Sequence, residues 1–196
     1  MKHLFKNSAR ILGLLAVAGT LTLTSCRSDD EETVDDLPQE ELSNILLKVT
    51  DQATSASVTY DYVINGSTNP TITLVDGHTY DVEAIFKNGS EDVTQEIRDA
   101  KDEHFLVFNF PNSDVTLTRT DDATSTRADG KHVGLKTKWV VTDAVKNATA
   151  TAQLVMTLYH EPATVSEASA ASGNGIVYGT QTGGETDAQA TYKITN

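Results

Sequence analysis

The chain has 196 residues, a single cysteine and a formal charge of −13. One cysteine excludes an internal disulfide and any zinc ribbon built on paired thiols. The acidic balance excludes nucleic acid as a partner, because the backbone phosphates would be repelled.

Residues 1–10 carry Lys2, Lys6 and Arg10 and no acid, and an apolar run, Ile11 to Gly19, follows. That run is shorter than the about 20 apolar residues a bilayer span needs. A basic start and a short apolar stretch predict a secretory signal over residues 1–25. It closes on Leu23-Thr24-Ser25-Cys26, an apolar residue, two small ones and a cysteine. This resembles the lipobox of bacterial lipoproteins, which implies that Cys26 is the site of lipid attachment. Removal of the signal takes three basic residues and no acid, moving the charge from −13 to −16. Eight acids follow the cysteine closely: Asp29, Asp30, Glu31, Glu32, Asp35, Asp36, Glu40 and Glu41. A block of like charges with little apolar content predicts a disordered tether over 26–41. Ser28-Asp29-Asp30-Glu31-Glu32 also resembles the acidic export signal of Bacteroidetes surface lipoproteins, which implies a lipid-anchored place on the outer membrane, facing out.

Residues 42–196 are enough for one domain with its own core. Alternation and turn residues predict strands over 42–49, 57–63, 71–75 and 79–86, with a turn at Asn65-Gly66 and a hairpin at Asp76-Gly77. Ser90-Glu91-Asp92 can cap a helix, and Val93, Ile97 and Ala100 share one helical face, so a helix is expected over 90–102. Strands resume at 104–110 and 115–119. A polar loop covers 120–131, and two long strands, 132–142 and 150–160, are expected to form a hairpin over 143–147. Residues 161–185, rich in Ser, Ala, Gly and Thr, are expected to form a long loop or flap, and 186–195 the last strand. The expected fold is mainly β: an immunoglobulin-like antiparallel β-sandwich with one short helix.

For chemistry, the chain carries no Gly-rich phosphate loop, nucleophile elbow or zinc-protease motif, so no enzymatic activity is expected. Asp121, Asp122 and Asp129 beside Gly130 do not have EF-hand spacing and read as a solvated loop. The histidines are more informative. His104 shares a strand face with Leu106, Phe108 and Phe110, and His160 shares one with Leu154, Met156 and Leu158. If the two strands run antiparallel, both imidazoles lie at the same end of the sandwich, with Glu103, Tyr159 and Glu161 close by. Imidazole beside carboxylate suits zinc or copper, and paired histidines, or histidine with tyrosine, suit haem. The alternative is that each histidine plugs the end of the core and bonds a backbone carbonyl.

Several of these residues lie in motifs: Glu91-Asp92-Val93-Thr94-Gln95-Glu96-Ile97, Glu103-His104-Phe105, Gly134-Leu135, Leu158-Tyr159-His160-Glu161-Pro162 and Gly183-Gly184-Glu185-Thr186-Asp187. Together they resemble a family of small Bacteroidetes surface lipoproteins, with departures at Phe105 and Val133. The resemblance implies an accessory of an outer-membrane TonB-dependent receptor. The expected function is therefore non-enzymatic capture of a ligand, a metal or metal complex, for such a receptor. The rival expectation is an adhesion or scaffold module binding protein or glycan through loops 120–131 and 161–185.

Overall fold

Strict alternation shapes the first strand. In β1 (Asn44–Asp51), Ile45, Leu47 and Val49 are buried while Lys48 between them is exposed. The computed structural model describes residues 42–196; the signal, Cys26 and the acidic tether lie outside the described residues. The remaining strands are β2 (Ser57–Val63), β3 (Thr71–Thr73), β4 (Thr79–Asn88), β5 (Glu91–Asp92), β6 (His104–Phe110) and β7 (Asp114–Arg119). They continue with β8 (Lys136–Asp143), β9 (Ala152–His160), β10 (Thr164–Ser172), β11 (Gly175–Thr182) and β12 (Glu185–Thr195). No helix among the described residues is long and apolar enough to cross a membrane.

The strands form two sheets, β2-β1-β4-β8-β7 with β5 added to β4, and β10-β11-β6-β9-β12-β3. Their inner faces share one core in which Trp139, Phe86, Phe108, Phe110, Leu154 and Tyr192 are fully buried or nearly so. The expected β-sandwich with one short helix is thus the fold. It has more strands per sheet than a constant-type immunoglobulin domain, and one pair, β3 with β12, is parallel.

Three connections differ from expectation. Asp76-Gly77 is not a hairpin turn, because β3 and β4 belong to different sheets. Gly77 N–H donates to Val141 O and the Asp76 carboxylate accepts from Ala144 N–H, so the turn is an arch between the sheets. The segment after Asp143 is a second arch. β8 pairs with β4 and β7, and β9 with β6 and β12. The Asn112 amide ties that arch down by donating to Asn147 O and Ala150 O. Alternation shows that a strand has an inner face but not which of two facing sheets it joins. The third difference is residues 161–185, which form the antiparallel pair β10–β11 rather than a loop. Small Ser and Ala side chains lower strand propensity, and backbone pairing overrides it here.

The helix α1 (Thr94–Asp99) is shorter than expected. A turn at Gly89 (φ +58) lets Glu91 and Asp92 pair with the end of β4 instead of capping a longer helix. Thr94 N–H then donates to the Asp92 carboxylate, and Val93, Ile97 and Ala100 are buried as one face.

One side of the sandwich is closed by a chain crossing. Residues 132–135 do not continue β8. Instead Leu106 N–H donates to Val133 O in one sheet and Ala84 N–H donates to Leu135 O in the other. Gly134 (φ +101) makes the step between them, and a Cβ there would collide with the Arg119 guanidinium. Arg119, at the end of β7, donates to Val133 O, His132 O and Leu106 O, and its guanidinium lies 4.3 Å from the Phe105 ring centre. Burial pulls its pKa down to about 10. Asp121, expected to be solvated, is buried and accepts from Gly134 N–H and Leu135 N–H.

Candidate metal centre

β6 and β9 pair antiparallel, and the register sets His104 directly opposite His160. The imidazoles stack, with centres 5.1 Å apart and planes 7° from parallel. Their strands end at one edge of the core, where α1 and the turn into β12 also arrive.

The His104 side chain is 2% exposed. Its Nδ1 lies 3.0 Å from Ala100 O, at the C-terminal end of α1. A carbonyl only accepts, so Nδ1 must be the donor, as the core-plug alternative anticipated. That bond leaves Nε2 to face inward. It points at Asp187 Oδ2, 3.5 Å away, and that carboxylate is itself only 3% exposed. His160 is less buried, at 18%. Its Nδ1 lies 3.8 Å from Asp187 Oδ1 and its Nε2 lies 3.5 Å from Glu103 Oε2. Among the described residues, Glu103, His160 and Glu161 form a group that can offer three ligand atoms within 4.8 Å of one another.

Asp187 comes into the site through a β-bulge. Glu185 pairs with His160 and Thr186 with Tyr159, but the next pairing is Ala188 with Leu158, leaving Asp187 as the extra residue. A bulge re-aims a side chain against the strict alternation of its strand. Gly183 and Gly184, both with left-handed φ, make the preceding turn. A Cβ on Gly184 would collide with His160 O, so glycine lets β12 start hard against the end of β9. Glu161, at φ +47, adopts the left-handed backbone without being glycine, and its N–H donates to Glu103 O at 2.6 Å.

His104 Nε2 and both Asp187 oxygens are buried without a hydrogen-bond partner in the protein. Such orphans are rare, since an unpaired buried polar group costs about 1–3 kcal/mol. With Nδ1 donating to Ala100, a neutral His104 sets a lone pair against a carboxylate, an arrangement that a cation between them would reconcile. Bonds of about 2.0–2.2 Å to a tetrahedral ion place ligand atoms about 3.3–3.6 Å apart. The separations of 3.5 Å and 3.8 Å from Asp187 to the two histidines are compatible with that edge length and also lie within ion-pair range. The His104 Nδ1–carbonyl bond is also the usual way a metal-binding histidine is oriented.

The structure therefore brings together His104, His160, Glu103 and Glu161. Tyr159 pairs with Phe105 on the neighbouring strand, and alternation turns it to the other face of the sheet. The side-by-side stacking of the imidazoles also differs from the end-on approach that two axial haem ligands require. Asp187 was missed by sequence reasoning because alternation places it outward, with Ala188, Ala190, Tyr192 and Ile194 inward. The preceding glycine pair was the one available signal of close backbone approach.

The other described histidines are satisfied. His78 Nδ1 lies 2.8 Å from the Asp51 carboxylate, and this hydrogen bond holds Asp51 below its usual range. His132 Nδ1 lies 3.0 Å from Glu167, which also accepts from His132 N–H. Comparison of the chain with protein-family models, curated proteins and solved structures finds no match.

Proposed function

We propose that this chain is a lipid-anchored, non-enzymatic capture protein of the outer membrane. It binds a divalent transition-metal ion of the zinc or copper(II) class, alone or in a small complex, and presents it to an outer-membrane receptor of the TonB-dependent type. The lipobox at Cys26 and the acidic segment after it support the anchor and its location. One observation carries the ligand class: the buried Asp187 carboxylate, which accepts no hydrogen bond, lies 3.5 Å from His104 Nε2 and 3.8 Å from His160 Nδ1. Nitrogen and carboxylate donors suit zinc and copper(II) better than calcium, which takes oxygen alone. The imidazoles face carboxylates rather than a hydroxyl, an arrangement for holding an ion rather than for acyl transfer.

The test is metal titration of the full chain, purified in detergent and stripped with chelator. Zinc or copper is expected to bind at micromolar concentration or tighter and to raise the melting temperature, by mass action on the folded state. His160→Ala is expected to abolish both effects. A wild-type protein that binds neither ion at that level would refute the proposal.

A second reading has its own observation. Val58 and Val75 are 51% and 41% exposed beside an open groove that Tyr60 and Thr73 also line. An apolar edge of this kind suits a protein partner. The loops expected to serve adhesion are less suited, since 161–185 is a strand pair and 120–131 is pinned by Asp122 and Arg127. Partner binding that survives chelation and His160→Ala would favour this reading.

A further inference from the structure

His160 belongs to two donor sets at once, one through each ring nitrogen. Nδ1 faces inward to Asp187 and, beyond it, His104; Nε2 faces outward to Glu103. The two sets differ in access. The His104 and Asp187 side chains are 2% and 3% exposed, whereas Glu103 is 39% exposed and Glu161 lies at the surface. A hydrated divalent ion cannot reach the inner set with its water shell intact. It can reach the outer one, where two carboxylates draw it in.

We propose that the centre loads in two steps. Accepting the metal reading above, the ion first binds Glu103, His160 Nε2 and Glu161 at the surface. It then sheds water and passes to His104 Nε2, Asp187 and His160 Nδ1, while the ring proton moves from Nδ1 to the vacated Nε2, where Glu103 accepts its hydrogen bond. One observation beyond the acidic pair supports this order: the buried Asp187 carboxylate, which accepts no hydrogen bond, lies on the inner side of the same imidazole, 3.8 Å from Nδ1.

Stopped-flow zinc uptake by the chelator-stripped full chain in detergent, monitored by competition with a fluorescent zinc chelator, tests the order. The wild type is expected to show a fast, salt-sensitive phase followed by a slower one. Glu103→Gln/Glu161→Gln is expected to lose the fast phase and slow association about tenfold. Asp187→Asn is expected to keep the fast phase, lose the slow one and weaken affinity by at least about tenfold. Glu161→Gly, which relaxes the backbone, is expected to melt higher than wild type while losing fast-phase amplitude. Association at the wild-type rate in the double variant, or loss of both phases together in Asp187→Asn, overturns the two-step order. Absence of zinc binding by the wild type overturns the metal reading itself.

Discussion

The Arg119 corner and the His104–Asp187 end both bury ionisable side chains against strand β6, yet only the first satisfies what it buries. Arg119 donates to three carbonyls and lies over two phenylalanine rings. The nearby Asp121 receives two backbone N–H groups. Beside His104, Asp187 receives no hydrogen bond, and His104 Nε2 makes none, the two facing each other at 3.5 Å. A buried charge that is fully hydrogen-bonded joins parts of the fold together. One that is left open destabilises the isolated chain.

The sharpest way to break this comparison is at Arg119. Arg119→Met would remove the guanidinium donor from the carbonyls of Leu106 and His132 and leave Val133 O with the Leu106 N–H alone, in a closed space. A loss of about 3 kcal/mol or more is expected in denaturant unfolding, with the dependence on denaturant unchanged. A loss below about 1 kcal/mol would show that the corner is not the clamp described. Asp187→Asn should act in the opposite direction. The neutral amide can donate to His104 Nε2, so the metal-free protein is expected to gain about 1 kcal/mol while zinc affinity falls. A less stable variant would instead mark Asp187 as the counter-ion of a charged histidine.

The smallest effect concerns acid. Burial raises the Glu167 pKa, but the His132 N–H and imidazole lower it further, leaving it net below its ordinary value of 4.5. A depressed carboxylate contributes stability above its unfolded pKa and loses it as pH falls through the folded value. Glu167→Gln should therefore flatten the acid limb of the stability curve by less than about 1 kcal/mol. An unchanged acid limb would remove the Glu167–His132 contact from the set that holds β10 down.

The cross-strand histidine pair was legible in the sequence because period-two alternation is rigid. His104 and His160 each continue an apolar face, and antiparallel pairing of β6 with β9 does the rest. The positions of the strands with a buried, alternating face, such as β1, β4 and β9, were legible for the same reason. Asp187 was not, because a bulge cancels the alternation that sequence reasoning depends on. The two arches were not legible either. Asp76-Gly77 reads locally as a hairpin turn, and only contacts with Val141 and Ala144, far along the chain, make it an arch. The β10–β11 pair escaped notice because residues such as Ala168 to Ser172 carry no apolar signal.

Strand β12 lies between β9 and β3, and Tyr192 on it donates its hydroxyl proton to Ile45 O on β1. The sheet therefore has a gap until the last of the described strands is in place. A chain that leaves a ribosome or a membrane pore amino-terminus first can assemble its early hairpins, but it cannot close until residues 185–195 emerge. That order also delivers Asp187 to the two histidines as one of the final acts of folding.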